Sequence, residues 1–402
     1  MERPIAVIEI CSKCIKLVVG FVIDGQVQVI YSTSKNLGLI FDHGTLVDEN
    51  AFLNGLRCLN FIEDTQAKLK ITIAEVIVVI PPLGLTILES TQTTNLVNDA
   101  NKVETLDIRN LFNLVLKMPV GEGNVIADAI PRYFELDGGR SYSDIPLGLN
   151  SSSISAAIRV HSIPSKYYYM IRNAVSNANF IVKRVVVAPQ GGLELLSTYH
   201  ETPSSYYLVD IGSNLTTVSM VGGKQLFDSR FFFWGGDSIT EKIIAKFNIN
   251  EADAEKYKIM YGYDNREYSF DPIVCTSYDG DNNVSEHHLS ALKEIIKDEL
   301  DDLALQINSS IKSLLESYGN KAAKLEKLPI VLVGGGALLG GLVDYLKVKL
   351  ENEDITLGTN RVLGARSLSN VNALGAIICQ HKYPAINDDS QRKNVALSRE
   401  IK

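Results

Sequence analysis

The sequence predicts an α/β fold of two lobes, with a small α+β subdomain inserted into the first. Three observations lead there. Val7-Ile8-Glu9-Ile10-Cys11-Ser12 and Leu208-Val209-Asp210-Ile211-Gly212-Ser213, one in each half, share a plan: a buried strand carrying one carboxylate, a tight turn with a serine, and a return strand. Around each, apolar strands alternate with stretches of helical spacing. Between residues 86 and 162 the texture changes to a helix and long alternating strands, then the α/β pattern resumes. Two such hairpins suggest a duplicated lobe with a ligand between the copies.

The elements follow in order. Residues 5–10 are a short apolar run, read as a buried strand; 11–13 turn it back through 15–20, and 26–32 read as a third strand. Residues 50–69 place Phe52, Leu56, Leu59, Ile62 and Leu69 on one helical face. Residues 75–80 are a buried strand stopped by Pro81-Pro82. In the insert, 103–116 read as a helix, while 125–136 and 152–161 alternate like exposed strands, punctuated by Gly138-Gly139. A helix at 166–177 and a β-branched strand at 182–187 close the first half. The second half opens with the strand of Asp210, a strand at 216–220, another at 225–234, and a helix starting at Gly235-Gly236. Residues 248–316 are polar and mostly helical, interrupted by a polar stretch at 276–285. Within them Leu289, Leu292, Ile296, Leu300, Leu303, Ile307, Ile311 and Leu314 recur at helical spacing and read as a core stripe. Residues 329–333 are a last buried strand, followed by Gly334-Gly335-Gly336, a helix from about 338, and a Gly- and Ala-rich helix at 372–380. The polar tail after Pro384 reads as loose.

Bulk properties narrow the function. A chain of 402 residues is too long for one core. The formal net charge of −8 argues against nucleic-acid binding, which needs a positive field. The sequence has no run of about 18 apolar residues, so no membrane-spanning helix is expected, and the N-terminal residues lack the pattern of a signal peptide. Five cysteines fit a reducing compartment. Cys11-Ser12-Lys13-Cys14 is a Cys-x-x-Cys, but a strand follows it where a thioredoxin-like site needs a helix, and no second ligand pair completes a zinc site. These read as turn cysteines.

The hairpins carry the candidate chemistry. A strand-turn-strand presents consecutive backbone N–H groups and a serine hydroxyl to phosphate oxygens. A carboxylate at the end of the first strand can hold Mg²⁺ through water. Asp210 before Gly212-Ser213-Asn214 fits that plan, and Gly334-Gly335-Gly336 gives bare backbone against which an adenine could lie flat. Gly235-Gly236 at a helix start is a third such element.

In this order the motifs resemble the superfamily of actin, the heat-shock chaperone ATPases and the sugar kinases, and within it the FtsA family of bacterial division proteins. Leu332-Val333-Gly334-Gly335-Gly336 resembles the family's adenosine turn, 209–217 its second phosphate hairpin, and Gly235 to Thr240 its Gly-Gly-Asp-x-Ile-Thr helix start. Residues 254–262 resemble a stretch whose acidic residue reaches the ribose. Residues 129–139 and 144–149 resemble the signature of the FtsA-specific insert. The likeness covers residues 5–381. It implies an actin-like ATPase fold, with the first lobe core at 1–85 and 163–203, the insert at 86–162, the second core at 204–247 and 317–383, a helical subdomain at 248–316 and a tail at 384–402. It implies ATP and Mg²⁺ as ligands. Ser12, Lys16, Asp210, Gly212, Ser213, Asn214, Gly235, Gly236, Glu255, Lys258, Gly334, Gly335 and Gly336 would hold the nucleotide, and Glu9 and Asp210 the metal. It implies as partners the C-terminal tail of the tubulin-like division protein FtsZ, bound by 248–316, further copies of the chain in a filament, and the inner face of the cell membrane.

The chain departs from the family in places. The first turn reads Glu9-Ile10-Cys11-Ser12 where the family has Asp-x-Gly-Thr/Ser, and Val187-Ala188-Pro189 stands where the family has Leu-Glu-Pro. If that missing Glu polarises the attacking water, hydrolysis is expected to be slow or absent. The tail offers only Val395, Ala396, Leu397 and Ile401 as an apolar stripe, thin for the membrane helix usual in FtsA. Two alternatives stand beside this reading: a PilM-like scaffold of type IV pilus assembly, and a small-molecule kinase of the same superfamily, which would need a base carboxylate in the cleft.

Overall fold

Near-continuous Val, Ile and Leu runs form strands buried on both faces, as parallel strands covered by helices require. The computed structural model describes residues 3–42, 44–59, 73–96, 100–199, 202–264, 266, 269–278, 284–316 and 322–383. The chain divides into two units: Met1–Thr198 with Val362–Ala365 and Asn372–Lys402, and Tyr199–Arg361 with Arg366–Val371.

The two units repeat one sheet plan. In the first, the strand order is Ile181–Val187, Glu75–Ile80, Ile5–Ile10, Cys14–Ile23, Gln26–Asn36. The first three run parallel and the last two return antiparallel. In the second, Ile355–Leu357, Ile330–Val333 and Ser205–Ile211 are parallel, and Thr216–Gly222 and Gln225–Phe232 return antiparallel. Each carboxylate hairpin therefore occupies the centre of its sheet, as the repeated plan predicts.

Helices at Glu49–Leu59, Ser165–Asn177, Ala188–Tyr199 and Val371–Lys382 belong wholly or mainly to the first unit. The predicted 50–69 helix is described only to Leu59; Ile62, Leu69 and the tail at 384–402 lie outside the described residues. The helix Ala188–Tyr199 is absent from the expected elements. Its Gly191-Gly192 lowers helix propensity, but Gly191 packs against the backbone of Asn372 with no room for a side chain.

The insert is a four-stranded antiparallel sheet in the order Thr86–Asn95, Ser153–Pro164, Asn124–Leu136, Arg140–Tyr142. The helix Thr105–Val115 packs Ile108, Leu111 and Phe112 against Phe134, Ile154 and Ile158. Of its two long strands, expected to alternate like exposed ones, Ser153–Pro164 is buried almost throughout, while Asn124–Leu136 is buried from Ile126 to Pro131 and alternates only at its end, where Tyr133 and Glu135 are exposed. Two of the polar residues on these strands, Asp128 and Arg159, form ion pairs instead of facing water. Fully buried Arg184 donates Nε to Asp128 Oδ1 and Oδ2 at 3.1 and 3.0 Å, and its Nη1 donates to the Cys379 carbonyl at 3.0 Å. Arg159 pairs with Glu89 at 2.7 Å. His161, fully buried beside them, has no hydrogen-bond partner for either ring nitrogen among the described residues, and burial lowers its pKa to about 4.

In the second unit the long helix Leu289–Leu315 buries every residue of the predicted stripe. The polar interruption expected at 276–285 is in part regular: Ile273–Tyr278 pairs antiparallel with Val284–His288. No helix among the described residues is long and apolar enough to cross a membrane.

Candidate functional site

The second hairpin, its neighbouring helix and the glycine turn are locked together by backbone. Gly212 N–H donates to the Leu215 carbonyl at 2.9 Å and closes the turn. The helix Gly236–Phe247 then docks on it: Gly236 N–H donates to the Gly212 carbonyl at 3.0 Å, and Asp237 N–H to the Ser213 carbonyl at 2.8 Å. Gly235, which caps this helix, lies too close to the Ser213 carbonyl for any side chain. Gly334 has φ +88°, and a Cβ there would overlap Asp210 Oδ1 and the Ile211 carbonyl. The turn after the strand Ile330–Val333 thus rests directly on the Asp210 carboxylate of the neighbouring strand.

Above these contacts lies a cavity of about 380 Å³. Of the predicted residues, Gly212, Ser213, Gly236, Glu255, Lys258, Gly335 and Gly336 line it; Asp210, Asn214, Gly235 and Gly334 do not, and hold its floor or edge from behind. The helix expected from about 338 starts later, at Leu342, after a short 3₁₀ turn at Gly336–Leu338. That turn keeps Gly335 at the cavity, where a Cβ would meet nothing nearer than Ser369 Cβ at 4.0 Å.

Glu255 and Lys258 stand one turn apart on the helix Glu251–Tyr261 and are tied to the helix Gly236–Phe247. The Lys258 ammonium, nearly buried, donates to the Gly236 carbonyl at 2.9 Å and to Thr240 Oγ1 at 2.8 Å, and pairs with Glu255 at 2.5 Å. The Thr240 hydroxyl in turn donates to Glu255 Oε2 at 2.7 Å. This network spends the lysine on positioning and leaves Glu255 partly exposed at the cavity.

The cavity also has walls that no motif marks. Trp234, Ile239, Leu300, Leu303 and Leu339 make it largely apolar, and Asp237 adds a carboxylate at the helix start. Leu300 and Leu303 belong to the stripe read as core. Asp237 lies inside the Gly235 to Thr240 motif, so its position, but not its role, is open to sequence.

The first hairpin differs. Glu9 and Lys16 are cross-strand partners, as Asp210 and Thr217 are in the second. Lys16 Nζ donates to Glu9 Oε2 and Asn372 Nδ2 to Glu9 Oε1, both at 3.2 Å. Both oxygens of buried Glu9 are engaged, and a cation already neutralises it. Ser12 lies in the turn, its carbonyl accepting Ile40 N–H at 2.9 Å and Phe41 N–H at 3.1 Å. Glu9, Ser12 and Lys16 are not among the residues that line the cavity.

Comparison with known proteins agrees with the residue-level likeness. A family profile for the cell division protein FtsA matches residues 207–375. The FtsA of Enterococcus hirae is 25% identical over 378 residues, covering 92% of this chain and 81% of its own. The FtsA of Streptococcus pneumoniae serotype 2 is 23% identical over 342 residues, covering 84% and 71%. Among solved structures, a PilM–PilN type IV pilus biogenesis complex matches with TM-score 0.56 at 16% identity, covering 95% of this chain and 98% of that one. MreB 5 of Spiroplasma citri bound to AMPPNP matches with TM-score 0.56 at 12% identity over 99% of both chains. At such identities the structures speak for the fold alone. The chain has the actin-like ATPase fold and, in sequence, is similar to FtsA proteins over most of its length.

Proposed function

We propose that the chain is an ATP-holding, filament-forming scaffold of bacterial cell division that links FtsZ filaments to the inner face of the cell membrane. The observation that carries the nucleotide part is the convergence of Ser213, Gly236, Glu255, Lys258 and Gly335 on one cavity with an apolar wall. The glycine turn offers bare backbone to a base, Glu255 an acceptor to a ribose hydroxyl, and the Gly212-Ser213-Asn214 turn with the start of the helix Gly236–Phe247 a place for phosphate charge. ATP would supply polyanionic charge at that helix start. Asp210 is the metal-side carboxylate of the proposal; Glu9, taken by Lys16 and Asn372, leaves it. No cluster of three or more His, Cys, Asp or Glu stands ready for a metal among the described residues. That suits Mg²⁺ brought in on the phosphates and held by one protein carboxylate through water.

The division part rests on the FtsA relatives. In this reading residues 248–316 take the FtsZ tail, copies of the chain stack into filaments, and the membrane is reached weakly or through a partner. The test is fluorescence anisotropy of two labelled peptides with Mg·ATP: the C-terminal tail of FtsZ and the N-terminal tail of PilM's membrane partner. Saturable binding of the first alone supports the proposal. Binding of the second alone moves the protein to pilus assembly and overturns it.

A further inference from the structure

We propose that Cys11 and Cys14 form a redox-active dithiol, a modification site that closes to a disulfide across the turn of the first hairpin when it meets a low-molecular-weight disulfide. The nucleotide reading neither uses nor requires these thiols.

The argument starts from the backbone. Cys11 and Cys14 flank the two-residue turn Ser12-Lys13, and Cys11 N–H donates to the Cys14 carbonyl at 2.9 Å. The next pair outward is Ile10 opposite Ile15. Residues facing each other across a tight hairpin have Cα atoms about 5.5 Å apart, inside the roughly 4.4–6.8 Å that a disulfide spans. Residues that face each other across an antiparallel pair put their side chains on the same face, so the two thiols lie on one side. Both residues are partly exposed, so a small oxidant reaches them, whereas Cys275 and Cys379 are buried.

The surroundings divide the two thiols into an attacker and a reserve. The hydrogen bond from Cys11, then the Lys16 ammonium and the Ser34 hydroxyl, outweigh burial and the Glu9 carboxylate and bring Cys14 down to about 7. Cys11, the donor in that bond and itself desolvated, is pushed up. A strand replaces the helix of thioredoxin-like sites, and the lysine two residues on takes over the stabilising positive charge.

The step balances. The Cys14 thiolate attacks one sulfur of a disulfide RS–SR, its S–S bond breaks, and RS⁻ leaves with a mixed disulfide remaining on Cys14. Cys11 gives up its proton and attacks the Cys14 sulfur, expelling the second RS⁻. Two cysteines are oxidised, one external disulfide is reduced to two thiols, and the Cys11–Cys14 bond closes a four-residue ring around Ser12.

The experiment equilibrates the full chain with reduced and oxidised glutathione at graded ratios. Remaining thiols are then alkylated, and the peptide holding both cysteines is weighed. The expected product is that peptide lighter by two hydrogens, formed before any glutathione adduct at exposed Cys58. In Cys11→Ser the bond cannot close, so glutathione stays on Cys14. In Cys14→Ser, Cys11 stays unmodified under the same exposure. Alkylation of Cys14 by iodoacetamide has its midpoint near pH 7 and moves up in Ser34→Ala, a change remote from the turn backbone. The proposal is overturned if both thiols persist while Cys58 is glutathionylated, or if Cys11→Ser accumulates no adduct at Cys14.

Discussion

Replacing Gly335 by Trp separates the cavity from the scaffold around it. Gly335 has φ −67° and ψ −37°, an ordinary conformation for any residue, and a Cβ there would have only Ser369 Cβ nearby, at 4.0 Å. Its neighbours tolerate nothing: Gly334 and Gly336 abut Ile211. The Trp side chain therefore enters the cavity of about 380 Å³ and fills space a base would need, while the unliganded protein changes stability by no more than about 1 kcal/mol. In the wild type, ATP at a hundredfold excess over its Kd stabilises the folded state by about 2.7 kcal/mol. For a unit of the second unit's size, that raises Tm by roughly 5–11 °C. Differential scanning fluorimetry with and without Mg·ATP reads both quantities. The expected result is an unchanged apo Tm and loss of the ATP shift. A variant that keeps the full shift shows that the base does not lie against Gly335. A variant that loses several kcal/mol without ligand shows that this glycine, too, is structural.

Three further outcomes follow from the same geometry. Asp210→Ala should weaken Mg·ATP binding about tenfold in calorimetric titration, the worth of one charge-assisted contact; equal affinity would remove this hairpin from the clamp. Asp128→Ala strands fully buried Arg184 and should cost about 3–5 kcal/mol in urea unfolding, whereas the double change Asp128→Leu with Arg184→Met should recover most of it, because apolar groups there need no partner. His161, neutral in the folded state, has a pKa of about 4 against an ordinary 6.5, with Asp128 opposing the shift and Arg184 and Arg159 reinforcing it. The unfolded chain takes up the proton first, so this stabilisation is complete above pH 6.5. It is lost at about 1.4 kcal/mol per pH unit as pH falls to about 4, some 3 kcal/mol in all. His161→Leu should flatten that part of the stability curve measured from pH 7 to 4; an unchanged slope would assign it to other groups.

Much of the fold is legible in the residues themselves. The duplicated hairpins stand out because a carboxylate inside an apolar run is rare and both runs end in a turn with serine. The stripe from Leu289 to Leu314 shows through its period. What escapes depends on partners far apart in sequence. Asp128 and Arg159 give the insert strands a polar alternation that looks solvated, and only the approach of Arg184 and Glu89 explains their burial. Leu300 and Leu303 sit in a core stripe yet face a cavity, which periodicity cannot distinguish from packed interior. The pairing of Glu9 with Lys16 is within reach of sequence: a two-residue turn at Ser12-Lys13 places position 9 opposite 16, and opposite charges so placed attract. The degraded first hairpin is readable as an internal ion pair from that register alone.

The Arg184 guanidinium also bears on how the chain is made. Its carboxylate partner precedes it by 56 residues, but the Cys379 carbonyl that takes its remaining arm follows by 195. At ribosomal rates of about 5–20 residues per second, that carbonyl emerges roughly 10–40 s after the arginine. The first unit is split in the same way, since it recovers its last helix only after Tyr199–Arg361 has been synthesised. The second unit, begun later, is complete first. During that interval the growing chain carries a charged side chain with its closing contact missing, and a release from the ribosome before residue 379 leaves it so. Truncated products should therefore fail in the half of the protein that was translated earliest.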